Sequence, residues 1–211
     1  MSALGQIFFT VAAGREIRPR SKSGDELLVL CSGWAFRHVQ LSNGGRQILK
    51  FLFPGDVVFS ETLLSQAEAS NPSYSAKALT DIQLCSFSAG ALREKCRSYE
   101  IAAQALLQML TEDVRTAYEL VTVLGQHAAE GRIAHLLLSL MRRVSQQALA
   151  VDRRYPFPLR QQHVADAVGL TPVHVSRVLT SFRDRGLLTL GDGMLVFHDL
   201  AQLDRIASLQ S

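Results

Sequence analysis

The 211-residue chain is 47% hydrophobic and 19% charged, which suits a folded protein with a sizeable core and excludes a disordered tail. Its formal net charge of +3 leans towards an anionic partner but excludes few function classes. Cys31, Cys85 and Cys96 lack the paired spacing of a metal or cluster site and read as reduced thiols of an intracellular protein. The first residues show no basic-then-apolar signal pattern. No apolar run approaches the roughly 20 residues that span a bilayer, so the expectation is a cytoplasmic protein with no membrane partner.

In chain order, residues 1–98 read as one β-rich unit. ELLVLC (26–31), GWAFRHVQL (33–41), RQILKFLF (46–53) and IQLCSF (82–87) are short and rich in β-branched and aromatic residues. Turn residues punctuate them: SGD at 23–25, SG at 32–33, SNGG at 42–45 and PGD at 54–56. Strands of this length and spacing predict a barrel or jelly roll, with Asn43-Gly44-Gly45 at a hairpin tip.

The period then changes. Leu106, Leu110, Val114, Ala117, Leu120, Val121 and Leu124 recur at helical steps, predicting a helix over 99–126. A helix of 25 residues is about 37 Å long, more than one small barrel covers. A homodimer seam is the preferred reading of this stripe. Packing inside the same chain remains the alternative, and the stripe alone does not separate them. A second helix is expected from Arg132 to about Gln147.

RRYPFPL (153–159) reads as a connector to a compact last unit within 127–211. Gln161–Val168 predicts a short helix and Gly169-Leu170 a tight turn. Thr171 is placed to N-cap the next helix, with Pro172 at its first position. LLTL, GDG and MLVF (187–197) predict a two-stranded hairpin, and Asp199 a cap for a last helix. Helix, glycine turn, helix and β-hairpin together make a winged helix-turn-helix. Val175, Val178, Leu179 and Phe182 supply the inward face of the second helix. Val173, His174, Ser176, Arg177 and Thr180 are left to face outward. Arg177 suits the O6 and N7 atoms of a guanine, and Thr171 and the free N–H groups of the helix start suit a phosphate. Arg160, Gln161 and Gln162 begin the bracing helix, where backbone contacts to double-stranded DNA are expected.

Three blocks carry a wider resemblance: SGWAFRHVQLSNGGRQILKFLFPGDVV, EGRIAHLLLSL and VADAVGLTPVHVSRVL. Through them the chain resembles the Crp/Fnr family of bacterial regulators over nearly its whole length. The resemblance implies an α+β architecture: an N-terminal cyclic-nucleotide-binding-type β-roll, a long dimerisation helix and a C-terminal winged helix-turn-helix. It also implies a homodimer on a two-fold operator, with RNA polymerase as a further partner.

The departures concern the effector. Where the cyclic-AMP-binding branch has Gly-Glu, this chain has Ser60-Glu61. Where that branch has the phosphate-binding Arg-Ser, this chain has Pro72-Ser73, followed by Tyr74, with Lys77 the nearest substitute cation. The Thr-Ser pair of the long helix is replaced by Ala117-Tyr118. An unneutralised buried phosphate is costly, so cyclic AMP is not expected. The closely spaced N-terminal cysteines of the iron–sulfur branch are missing, so a cluster is not expected either. Haem would need an axial ligand from His38, His127 or His135, each of which reads as structural. A redox switch at Cys31 or Cys96 is the lesser reading. Many family members carry glutamate at the position of Val173, so the operator is expected to keep a guanine contact and differ beside it.

Two other function classes fit these residues less well. A ligand-binding signalling module without DNA-dependent function is at odds with an intact helix-turn-helix bearing Arg177. A metal-dependent barrel enzyme needs several histidines and a carboxylate converging, and the β region holds only His38.

Overall fold

The computed structural model describes residues 7–20, 25–63, 73–147 and 154–208. It forms two compact units, which divide between Ala117 and Tyr118. The predicted SGD turn at 23–25 lies partly outside the described residues, and Pro72 lies outside them.

Among the described residues the first unit holds seven strands: β1 (Ile7–Val11), β2 (Glu16–Ile17), β3 (Glu26–Ser32), β4 (Ala35–Gln40), β5 (Arg46–Leu52), β6 (Ser75–Ala78) and β7 (Ile82–Ser88). They build two antiparallel sheets, ordered β1-β7-β3 and β2-β6-β4-β5. Leu28, Leu30 and Leu84 from one sheet meet Ile17, Ala35, Leu52, Ala76 and Ala78 from the other in a shared core. After Glu26 the run LLVLC (27–31) is apolar throughout because β3 is buried on both faces. Leu28 and Leu30 point between the sheets, whereas Leu27 and Val29 join a second cluster with Val57, Phe87 and Ala89. That cluster is covered by Leu92 of helix α1 (Ala89–Ser98) and by Leu106 and Met109 of helix α2 (Glu100–Gln126).

Sequence reasoning missed β1, β2, β6 and α1. β2 and β6 span only two and four residues, too few to show a period. The cysteines are not all the reduced thiols expected. Cys31 and Cys85 form a disulfide with Cα atoms 6.2 Å apart, and Cys96 is the free, half-buried thiol. Cys31 sits where the β3–β7 register shifts, between Leu30 and Ser32, which brings it beside Cys85. A separation of 54 residues hides that neighbourhood in the sequence.

The second unit continues α2 and adds α3 (Ala129–Gln146), β8 (Arg154–Pro156), α4 (Gln161–Val168), α5 (Pro172–Asp184), β9 (Leu188–Gly191), β10 (Met194–Phe197) and α6 (Leu200–Ala207). Ile133, Leu137, Leu140 and Val144 form the buried face of α3, which packs against α4, α5, α6 and β8. α3 begins three residues before the expected Arg132. The expected two-stranded wing is a three-stranded sheet, β8-β10-β9. Its third strand comes from the connector, where prolines 156 and 158 mask the strand signal. Asp192 and Gly193 form the two-residue tip between β9 and β10, both with positive φ (51° and 69°), as a type I′ hairpin requires. Asp199 caps α6 by accepting the Gln202 N–H at 2.8 Å.

Gly33 marks a close approach in the first unit. Its φ is +81°, and a Cβ there would stand 2.4 Å from the Asp81 carbonyl oxygen. Gly14 has a similar φ of +77° but open space around it. Both alanine variants carry the left-handed strain of about 1–2 kcal/mol, and only Gly33→Ala adds the backbone clash. Chemical denaturation is expected to show Gly33→Ala less stable than Gly14→Ala by at least about 1 kcal/mol.

Candidate functional site

Helix α5 owes its orientation to three side chains. Val175 and Phe182 are wholly buried and Leu179 nearly so. At 100° per residue their spacing turns Val173, His174, Arg177 and Thr180 to the exposed side, with Ser176 at the margin. The start of α5 is built as expected. Thr171 accepts the His174 backbone N–H at 3.3 Å, and its hydroxyl lies 3.2 Å from His174 Nδ1. Pro172 occupies the first turn.

The angle between α4 and α5 is set by Gly169, with φ 65° and its N–H on the Ala165 carbonyl. Leu170 N–H reaches the same carbonyl at 3.1 Å. Arg132 braces the turn from α3, donating from Nε to the His127 carbonyl at 2.9 Å and from Nη1 to the Val168 carbonyl at 3.4 Å. Arg160, Gln161 and Gln162 are exposed at the start of α4. Gln162 donates to Asp166 at 2.6 Å, and the Arg160 N–H to His163 Nδ1 at 3.1 Å. Arg185 is tied down by Glu130 at 2.9 Å, a brace between α5 and α3.

The candidate effector residues divide. Ser60, Glu61, Ser73 and Tyr74 come together beside the 3-10 turn Ser60–Leu63. Glu61 accepts the Ser73 N–H at 2.8 Å and its hydroxyl at 2.5 Å. The Tyr74 hydroxyl accepts the Ser60 N–H at 3.1 Å, and its ring stacks on Phe59 with centroids 6.0 Å apart. Glu61, which stands where the cyclic-AMP-binding branch has its glutamate, is thus engaged by Ser73. Ala117 and Tyr118 lie exposed on α2. Lys77, the substitute cation, faces away from the core, since its neighbours Ala76 and Ala78 point into it.

Two cations that sequence reasoning missed point inward instead. Arg37 and Lys50 are register partners on β4 and β5, on the same side as Ala35 and Leu52. Arg37 donates to the carbonyls of Val57 and Val58 at 2.7 and 2.9 Å and lies 5.0 Å from the Tyr74 ring centroid. Both reach Asp113 of α2: Arg37 Nη1 at 2.9 Å and Lys50 Nζ at 2.5 Å. Their signal was a positive residue interrupting the inward positions of each strand.

His38 is buried, with Nε2 3.5 Å from Glu16, and its ring nitrogens make no hydrogen bond among the described residues. Burial holds its pKa below the ordinary value; Glu16 opposes that shift, and Arg46 and Lys77 add to it. His127 and His135 stand edge to face with centroids 6.3 Å apart. Burial likewise lowers the pKa of His135.

Along α2 the expected stripe splits between two faces. Leu106 packs into the second core cluster, and Leu110, Leu120 and Leu124 are half-buried. Val114, Ala117 and Val121 are exposed, and so are Leu107 and Tyr118. Leu107, Val114, Tyr118 and Val121 follow steps of seven, four and three, the pattern of a two-helix seam. The sequence stripe merged this face with the one that packs on the helix's own chain.

Known proteins agree with this geometry. A cyclic nucleotide-binding domain model matches residues 9–99 and a Crp-like helix-turn-helix domain model residues 131–206. The nitrogen fixation regulation protein FixK of Rhizobium meliloti is 31% identical over 200 residues, spanning 95% of this chain and 85% of its own. The chain belongs to the Crp/Fnr family of transcription regulators. The transcriptional activatory protein AadR of Rhodopseudomonas palustris is 29% identical, spanning 87% of this chain and 74% of its own. The structure of FixK2 from Bradyrhizobium japonicum superposes with a TM-score of 0.82 at 25% identity, covering 98% of this chain and 99% of that one. Membership in the Crp/Fnr family makes this a DNA-binding regulator rather than an enzyme. Among the described residues no helix is long and apolar enough to cross a membrane.

Asp113 supplies a pH signature. Burial pushes its pKa up, but the Lys50 and Arg37 contacts outweigh burial and leave it lowered. A carboxylate lowered on folding contributes stability above its unfolded pKa and loses it as pH falls through the folded one. Between about pH 5 and pH 2, stability of the wild type is expected to fall more steeply than that of Asp113→Asn, as followed by urea denaturation.

Proposed function

We propose that this chain is a cytoplasmic, homodimeric, sequence-specific regulator that reads a two-fold DNA operator through α5 and does not use cyclic AMP. The observation that carries the reading is the exposed polar face of α5 at a capped helix start, with Arg177 as its cation. An exposed arginine one turn into such a helix suits a guanine edge in the major groove, and the Thr171 cap suits a neighbouring phosphate. Gln161, Gln162 and Arg160 would hold the backbone beside it. Val173, 61% exposed, offers a methyl-contacting surface for thymine where a glutamate would select cytosine. Recruitment of RNA polymerase belongs to the same reading.

The absence of cyclic AMP from this proposal rests on Glu61, which is engaged by Ser73, and on Tyr74, which is packed on Phe59. The dimer rests on the exposed seam of α2, with the two α5 helices roughly 34 Å apart on one side of the duplex.

In a binding titration against duplexes selected from a random library, Arg177→Ala is expected to weaken the best sequence by about 1–3 kcal/mol. It is also expected to relax preference at one symmetric pair of base positions. Equal loss on all sequences would make Arg177 a phosphate contact instead. Val121→Glu places a charge in the seam at a site 69% exposed within the chain. Sedimentation is expected to show that variant as a folded monomer and the wild type as a dimer.

A further inference from the structure

The interior of the β-roll holds a feature that DNA reading does not use. Two cations from adjacent strands, Arg37 and Lys50, converge on one carboxylate, one on each oxygen. Arg37 is 7% exposed, clamped by two backbone carbonyls and covered by the Tyr74 ring. Its remaining guanidinium face is therefore aimed at a fixed point. Lys50 is held from the other side by Asp56 at 3.9 Å, and Asp56 also accepts the Phe53 N–H at 2.8 Å. This is the geometry of a carboxylate receptor: planar and point-charge donors, pre-positioned by the sheet, in a site shielded from water. The carboxylate that fills it belongs to no strand of the roll. It comes from Asp113 on α2, 76 residues beyond Arg37 and 63 beyond Lys50.

We propose that Arg37 and Lys50 form an anion-binding site whose built-in occupant is the Asp113 carboxylate, so that α2 is seated on the roll without a diffusible effector. The class of ligand the site takes, once that carboxylate is removed, is a small carboxylate. Removing Asp113 leaves the buried Arg37 without a carboxylate and Lys50 with only Asp56 at 3.9 Å, an unfavourable state that a free anion of matching shape relieves. Because α2 continues without a break to Gln126, the same contact anchors the helix that carries the exposed seam. That regulatory consequence rests on the proposed function; the anion site does not.

The test uses the full chain as wild type, Asp113→Ala and Asp113→Asn. Thermal unfolding is followed in potassium acetate and in potassium chloride at matched ionic strength. Asp113→Ala leaves space of about the size of acetate, whereas Asp113→Asn fills that space without charge. Acetate is expected to raise the Tm of Asp113→Ala saturably, by about 3–6 °C at tenfold excess over its Kd. The wild type and Asp113→Asn should respond to acetate as they do to chloride. Adding Lys50→Ala to Asp113→Ala should weaken the acetate response at least tenfold. Should Asp113→Ala refold only when acetate is present, the refolding yield carries the same result. Identical responses to the two salts in Asp113→Ala, an equal acetate effect in the wild type, or failure to fold in both salts while Asp113→Asn matches the wild type would each overturn the site. Operator affinity of Asp113→Ala, measured with and without acetate, is the separate arm. Recovery there supports the seating of α2, and its absence alongside a clear thermal response would refute the regulatory consequence while leaving the anion site standing.

Discussion

Val175 and Phe182, on the buried side of α5, are the constraint on which the proposed function rests. They fix the rotation of that helix about its own axis. A helix turned by one residue, or 100°, would move Arg177 from the exposed face to the half-buried margin where Ser176 or Val178 stands and turn core aliphatics towards solvent. Truncating a buried phenylalanine of this kind costs about 3–5 kcal/mol, so the orientation is strongly held. The Gly169 turn and the Arg132 brace then fix the helix's position against α4 and α3. The polar face of α5 is therefore a product of core packing and needs no ligand within the second unit to form it.

The first unit is governed by electrostatics inside a β-sheet core. Two sheets close over aliphatic residues, and into that interior the chain places Arg37 and Lys50. Such charges persist only when neutralised, and Asp113 does so from the helix. The same unit uses Ser73 and Tyr74 to engage the polar groups of the 3-10 turn.

Much of this was legible in the amino acids, for physical reasons. The helix-turn-helix could be read because Gly169, Thr171 and Pro172 each have a conformational role that few residues can replace. The long helix could be read from its period. Its two apolar faces could not be separated, because Leu106 and Leu107 are equally apolar and only packing tells them apart. Strands β2 and β6 were too short to carry an alternation, and β8 was hidden by proline. The Cys31–Cys85 bond and the Asp113 contacts depend on pairing across more than fifty residues, which no local pattern records. For the effector region, the substitutions at Ser60, Pro72 and Ala117-Tyr118 argued against cyclic AMP but did not disclose the Glu61–Ser73 contacts or the Arg37–Lys50–Asp113 cluster.

Hydroxyl-radical footprinting on a selected two-fold duplex tests the central claim most directly. The account predicts two protected patches on one side of the duplex, about one helical turn apart and each centred on a half-site guanine, both lost together in Arg177→Ala. A solitary patch, or uniform protection unchanged by that substitution, would contradict it.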